Sequence, residues 1–255
     1  NVSSQYISGL LLAAPLLDGD TEIAVTGTLE SRPYVDLTID VLASFGVTVD
    51  IEEGATPGGL PLTVFRVPRQ GYRTPGSIAV EGDWSNAAFW FAAAFLGHRV
   101  DVEGLNPRSV QGDRVIGEQL ARLTQPGPAE LDVSQCPDLV PPLAAIAAVR
   151  AGTTRLTNAA RLRMKESDRL STTAALLTAL GGRAEEGPDF LTVHGGTLTG
   201  GMVDCANDHR IAMAAAIAAT ACTGPVTVLG AQCVQKSYPD FWEVYKNLGG
   251  DIHVL

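Results

Sequence analysis

The sequence predicts an α/β chain, or a regularly repeating α+β one, assembled from several copies of a single unit. Three observations carry this. Short β-branched runs of strand length alternate with Ala- and Leu-rich runs of helix length. The helix-like runs open on Ser, Asp or Asn, which satisfy free N–H groups, and close on Gly, which tolerates the left-handed backbone of a helix end. The order polar cluster, helix, strand, second helix, Gly, strand recurs along the chain.

The first repeat opens at Ser3-Ser4-Gln5. A helix runs to about residue 17, a strand covers 21–26, a second helix covers 33–45 and ends at Gly46, and a strand follows at 47–51. Further repeats open at Asp83-Trp84-Ser85 and at Pro137-Asp138. The last opens at Asn207-Asp208-His209-Arg210 and continues with a helix to about 222, a strand at 225–229, a helix at 239–248, Gly249-Gly250 and a strand at 251–255. From Ser4 to Asp83, Asp138 and Asp208 the intervals are 79, 55 and 70 residues. In the short interval the second helix, ending near Gln125, runs straight into Pro126-Gly127-Pro128 with no Gly-ended turn or hairpin. A repeat without its hairpin leaves sheet edges unpaired, so a segment is expected to be missing near 125–126.

Composition narrows the function classes. With 255 residues, 45% of them apolar, the chain can bury a large core and is not intrinsically disordered. No apolar run is long enough to span a bilayer, and no basic segment typical of a signal peptide is visible at the start. A net charge of −10 argues against general nucleic-acid binding, yet leaves room for a local basic pocket that takes a small anion. Cys136, Cys205, Cys222 and Cys233 show no CxxC spacing and are expected to be free thiols in a reducing cytoplasm. The four His residues do not cluster with them, so no zinc site is predicted. No GxGxxG in a strand–turn–helix context, P-loop, GxSxG or HExxH is present. Nucleotide hydrolysis, serine hydrolysis and zinc proteolysis have no support, and neither a cofactor nor a metal is predicted.

The polar clusters ask for more than capping. Helix N-termini offer free N–H groups and a positive dipole end, where anions bind. Capping explains one Ser, Asp or Asn per helix, but neither Gln5 nor the run Asp208-His209-Arg210. The densest basic stretch holds Arg161, Arg163, Lys165 and Arg169, four of the 18 Lys and Arg residues. Lys165 and Arg169 are four apart and would share a face of a helix, with Glu166 beside them. Such a stretch is either a solvated face laced with ion pairs or a clamp for phosphate and carboxylate. A carboxylate next to a Lys in a dry pocket can also move a proton. Lys236 precedes a helix at the repeat position that Glu30-Ser31-Arg32-Pro33-Tyr34 occupies in the first repeat.

Seven segments in register resemble one family: Ser3-Ser4-Gln5, Ser31-Arg32-Pro33-Tyr34, Gln111-Gly112-Asp113, Pro137-Asp138, the run from Arg163 through Lys165-Glu166-Ser167-Asp168-Arg169 to Leu170, Asn207-Asp208-His209-Arg210, and Lys236-Ser237-Tyr238-Pro239-Asp240-Phe241. The chain resembles the 3-phosphoshikimate 1-carboxyvinyltransferases, also called 5-enolpyruvylshikimate-3-phosphate synthases. The sister family acting on UDP-N-acetylglucosamine shares the fold but is not expected to carry the Lys-Glu-Ser-Asp-Arg and Asn-Asp-His-Arg signatures together.

The resemblance implies an enolpyruvyl transferase-like fold of repeated βαβαββ units in two domains, with substrates in the cleft between them. Residues 1–76 would be the last unit of the N-terminal domain and 77–255 the C-terminal domain. Family chains start well before this one, so the chain alone is not expected to assemble the cleft or to turn over. Ser3, Ser4 and Ser31 would bind the phosphate of shikimate 3-phosphate, Gln5 would touch both substrates, and Tyr34 would pack on the shikimate ring. Asp138 and Lys165 would hold and activate the attacking hydroxyl, with Asp138 as general base. Glu166 would protonate the methylene carbon of phosphoenolpyruvate. Arg169, Arg210 and Lys236 would hold its carboxylate and phosphate, with His209 in support. Arg161 stands where the family often has Asn. The implied partners are these two small molecules, without cofactor, metal, nucleic acid or membrane, and the full-length protein would be a cytoplasmic monomer.

Overall fold

The structure, a computed structural model, describes residues 4–254. Two compact units divide the chain: one takes residues up to Glu81 together with 106–114, the other takes 82–105 and 115 onward. Among the described residues no helix is long and apolar enough to cross a membrane.

The first compact unit holds helices α1 (Ser4–Ala13) and α2 (Arg32–Ser44) and strands β1 (Thr21–Thr26), β2 (Asp50–Ala55) and β3 (Pro61–Val67); the helices share a core with β1 and β3, while β2 is exposed along its length. The strands form an antiparallel sheet in the order β1-β3-β2. Ile7 and Leu11 make the helical stripe of α1, Val35 and Leu42 that of α2, and both stripes join Phe65 and Val67 of the central strand in one cluster. The strand predicted at 47–51 instead begins at Asp50. Gly46, at φ 77°, ends α2 in a Schellman turn, in which its N–H donates to Ala43 and that of Val47 donates to the Leu42 carbonyl at 2.9 Å. The Val47 amide therefore belongs to the helix end rather than to a ladder, and its side chain is buried in the core.

The second compact unit is larger. Its helices are α3 (Trp84–Phe95), α4 (Ile116–Leu123), α5 (Val140–Ala147), α6 (Arg169–Ala179), α7 (His209–Ala219) and α8 (Phe241–Asn247). Strands β4 (Ala129–Asp132), β5 (Thr153–Thr157), β6 (Arg183–Glu186) and β7 (Leu191–His194) form a sheet in the order β4-β5-β7-β6, with β4 parallel to β5 and the other pairs antiparallel. Strands β8 (Gly201–Asp204) and β9 (Val226–Leu229) form a parallel pair. Every residue of α5, and α7 from His209 to Ala218, is buried. Their alanines let neighbouring helices approach closely, which is why helices this short can lie at the centre of a core. Phe241 anchors α8 against Trp90 of α3, ring centres 5.3 Å apart.

Two features of this unit bear on the sequence reading. Where α4 passes to β4 without a hairpin, the buried Arg150 guanidinium clamps the turn, donating to the carbonyls of Leu123 (3.1 Å), Gln125 (2.8 Å) and Gly127 (2.9 Å) and to the Thr154 hydroxyl (3.1 Å). At the other end, the strand predicted at 251–255 is not formed among its described residues 251–254. The ladder of β9 is with β8, and 251–254 stand across a cavity from β9 with no strand beside them among the described residues.

Candidate functional site

The start of α7 is the anchor of the site. Ala206 and Asn207 take left-handed φ values of 48° and 57°, a conformation that costs a non-glycine residue about 1–2 kcal/mol. This turn places Asp208 at the N-cap, where its carboxylate accepts the Arg210 amide at 3.0 Å. Asp208 is fully buried, and a buried charge persists only when paired and hydrogen-bonded. Arg169 grips it two-fold, Nε to Oδ2 at 2.9 Å and Nη2 to Oδ1 at 3.2 Å, and the Ser167 hydroxyl donates to Oδ2 at 2.9 Å. Burial alone would push the Asp208 carboxyl up, but the bonds and charge of Arg169 outweigh it and hold the group below the usual carboxylate range.

Arg169, the first residue of α6, is itself 0% exposed. Its Nη1 donates to Asp138 Oδ1 at 2.7 Å, and its Nη2 also reaches Glu166. Asp138 lies in the 3₁₀ turn Pro137–Leu139 that leads into α5, where it gathers three cations. Besides Arg169, Lys165 Nζ stands 3.2 Å from Oδ1 and Arg210 Nη2 3.1 Å from Oδ2. Three carboxylates thus surround one guanidinium, and three cations surround one carboxylate. Lys165 and Arg169 do not share a helical face, contrary to the i,i+4 expectation. Lys165 follows the 3₁₀ turn Ala160–Met164 with an extended backbone, and α6 begins only at Arg169. The two side chains meet at Asp138 because the chain turns between them.

Arg163 of the basic stretch is structural. Arg163 bonds Asp168 at 2.7 Å, Glu186 at 3.0 Å and the carbonyls of Pro188 and Gly187, tying the turn to the β6–β7 hairpin, while Asp168 caps α6 through the Ser171 amide. Lys236, at the end of the 3₁₀ turn Ala231–Lys236, donates to the Asn207 carbonyl at 2.6 Å and so stands at the mouth of α7.

His209 is buried beside this cluster, and its Nδ1 has no hydrogen-bond partner. Burial, then the Arg210 charge, lower its pKa from the ordinary 6.5, against a smaller pull from Asp208 and Glu166. As pH falls below about 6.5, the unfolded chain takes up a proton that folded His209 refuses, so folding stability declines toward the lower folded value. Denaturant midpoints measured between pH 7.5 and 5.5 should show that decline, and His209→Gln should flatten it. An unchanged slope in the variant would show that His209 does not set it.

The remaining predicted residues belong to the first compact unit. Ser4 is buried as the first residue of α1, and Gln5 is exposed beside it. Ser31 is buried at the N-cap of α2 with a left-handed φ of 54°, and its side chain makes no capping bond. Tyr34, in the first turn of α2, is half-buried. Ser3 lies outside the described residues.

The second unit therefore brings together Asp138, Lys165, Glu166, Arg169 and Arg210, with His209 adjacent and Lys236 one loop away. Chemically the cluster offers cations for anionic ligands, a buried carboxylate beside a Lys, and in Glu166 a second carboxylate whose side chain is 39% exposed. Among the described residues no group of three or more His, Cys, Asp or Glu is placed to hold a metal ion. Asp208 and Ser167 stand in motifs that the sequence singles out, but nothing in the sequence gives them a role: the capping position of Asp208 explains one amide bond and does not reveal a buried partner 39 residues away.

A family profile described as EPSP synthase (3-phosphoshikimate 1-carboxyvinyltransferase) matches residues 1–245. The chain is 44% identical over 268 residues to 3-phosphoshikimate 1-carboxyvinyltransferase of Clostridium kluyveri, covering 99% of the chain and 61% of that protein. It is 44% identical over 267 residues to the protein of the same description from Clostridium acetobutylicum, covering 99% and 60%. The chain thus spans about three-fifths of the length of these relatives. Among solved structures, the enolpyruvyl transferase NikO from Streptomyces tendae has a similar fold, with a TM-score of 0.64 at 23% identity over 96% of this chain and 60% of that one.

Proposed function

The chain belongs to the EPSP synthase (3-phosphoshikimate 1-carboxyvinyltransferase) family, and on that premise we propose that the protein it forms part of transfers the enolpyruvyl group of phosphoenolpyruvate to the 5-hydroxyl of shikimate 3-phosphate, releasing phosphate. The observation that carries this reading is the convergence of Lys165, Arg169 and Arg210 on Asp138, with Glu166 on the same guanidinium. Two anionic substrates repel each other unless cations surround both, and preorganised cations are worth most where water is excluded.

In this reading the substrate carboxylate and phosphates take over guanidinium and ammonium bonds that now end on Asp138 and Glu166. Arg169, Arg210 and Lys236 hold phosphoenolpyruvate. Asp138, with Lys165 beside it, accepts the proton of the attacking hydroxyl as the new C–O bond forms. Glu166 gives a proton to the methylene carbon, and phosphate departs from the adduct once that carbon returns a proton. His209, kept neutral by burial, supports the cations without adding to their repulsion. Ser3, Ser4, Gln5, Ser31 and Tyr34 serve shikimate 3-phosphate, and Gln5 also meets phosphoenolpyruvate. Residues 1–76 act as the last unit of an N-terminal domain and 77–255 as the C-terminal domain of a cytoplasmic monomer.

A second reading is favoured by the chain covering only 61% of its relative: residues 1–255 alone bind shikimate 3-phosphate without turnover. The full-length protein, offered phosphoenolpyruvate with shikimate 3-phosphate or with UDP-N-acetylglucosamine, is expected to release phosphate with the first acceptor only. Release with the sugar nucleotide alone would reassign the substrate, and release with neither would remove the activity. Binding of shikimate 3-phosphate to 1–255 by calorimetry, with no phosphate release when phosphoenolpyruvate is then added, supports the second reading for the isolated chain.

A further inference from the structure

Lys236 is exposed, and its ammonium donates to the Asn207 carbonyl at the start of α7. A surface lysine side chain is flexible and rich in rotamers. A defined place for its ammonium therefore has to come from the backbone that carries it. That backbone is the 3₁₀ turn Ala231–Lys236, followed by Ser237 and Tyr238.

One face of α3 grips this backbone. Asn86 and Trp90 stand four residues apart on α3 and so project from the same side of the helix. They meet consecutive residues. Asn86 Nδ2 donates to the Ser237 carbonyl at 3.4 Å, and the Ser237 hydroxyl donates back to Asn86 Oδ1 at 3.4 Å. Trp90, which is buried, points Nε1 at the Tyr238 hydroxyl, 3.3 Å away, while its ring stacks on Phe241. Asn86 is itself oriented, because its Nδ2 also donates to Asp83 Oδ2 at 2.8 Å. Trp242 Nε1 holds the other end of the turn through the Ala231 carbonyl at 2.9 Å, and the Tyr238 amide closes on the Val234 carbonyl at 2.7 Å. Lys236 is thus the residue next to the grip of α3.

We propose that Asn86 and Trp90 are positioning residues for Lys236. They fix residues 236–238 against α3, so that the ammonium can leave the Asn207 carbonyl for an anionic ligand without any movement of the turn. Such preorganisation spares the cost of ordering the backbone when the ligand arrives. The proposal rests on the reading of Lys236 as a phosphoenolpyruvate ligand. The Asn86–Ser237 pair is neutral, so its loss is worth a few-fold rather than orders of magnitude.

Asn86→Ala and Trp90→Phe in the full-length protein test it, the second keeping a ring against Phe241 and removing only the N–H donor. Acetylation by an N-hydroxysuccinimide ester, followed peptide by peptide, should label Lys236 at least about 3-fold faster in Asn86→Ala, with a smaller change of the same sign in Trp90→Phe, while Lys165 and Lys246 label as before. In Asn86→Ala the KM for phosphoenolpyruvate should rise about 3–10-fold, with kcat, the KM for shikimate 3-phosphate and the thermal midpoint nearly unchanged. A merely structural role would move all of these together. In a Lys236→Ala background, Asn86→Ala should raise that KM no further, because both act through one side chain. Unchanged labelling of Lys236 in both variants, an unchanged KM in Asn86→Ala, or a further rise on top of Lys236→Ala overturns the proposal. Lys236→Ala that leaves the KM for phosphoenolpyruvate unchanged removes the role read for Lys236 itself, and positioning for that role falls with it.

Discussion

In the full-length protein, Asp138→Asn and Glu166→Gln should each lower kcat by about 10²–10⁴-fold, the usual range for loss of a positioned acid or base. Amide replacements are the informative ones. Asp138 is the ion partner of Lys165, Arg169 and Arg210 at once, so Asn and Ala both remove a charge from among three cations, but Ala also leaves their donors without an acceptor and confounds chemistry with folding the more. Asn keeps an oxygen for Arg169 Nη1, and Gln at 166 keeps one for Arg169 Nη2, while neither can exchange a proton near neutrality. Phosphate release with shikimate 3-phosphate and phosphoenolpyruvate measures the effect, and an unchanged thermal midpoint confirms the fold. Turnover within a few-fold of the unmodified protein in both variants would refute the assigned roles. An equal rise in KM at unchanged kcat would demote the two carboxylates to binding groups.

The second large effect is on stability. Asp208→Ala removes a two-fold ion pair from the fully buried Arg169, the acceptor of Ser167 and the cap of α7. Breaking a buried pair costs about 3–5 kcal/mol, and Asp138 and Glu166 still hold part of the guanidinium, so a loss of about 3 kcal/mol is expected. Denaturant midpoints of the full-length protein measure it. The acid limb carries the same signature. The depressed Asp208 carboxyl contributes stability that is complete above the ordinary 3.8 and fades as pH drops through its lower folded value, and Asp208→Ala abolishes that component. A single-variant loss below about 1 kcal/mol would show that Asp208 is not the anchor.

Local code carried much of the fold. The caps at Asp83 and Asp208, the Gly46 stop and the β-branched run 21–26 fixed helices and strands where they were expected, because capping and side-chain alternation act within a few residues. Boundaries slipped where a backbone amide had two possible partners: Val47 closes α2 instead of opening a strand. Residues 251–254 form no strand because a strand needs a neighbour, and neighbours are not encoded locally.

The site divides along the same line. Spacing and residue type singled out Lys165, Glu166, Arg169 and Arg210 as chemically capable, the repeat pattern put Asp138 at a helix start, and only the family resemblance gave Asp138 a chemical role. Only the folded chain decided that Arg163 ties down a hairpin while Arg169 is buried among three carboxylates, although both belong to one basic stretch. The physical reason is range. Capping and periodicity are settled over three or four residues, whereas burying a charge depends on partners such as Asp138 and Asp208, which lie 31 and 39 positions from Arg169 and meet it only after the helices have packed.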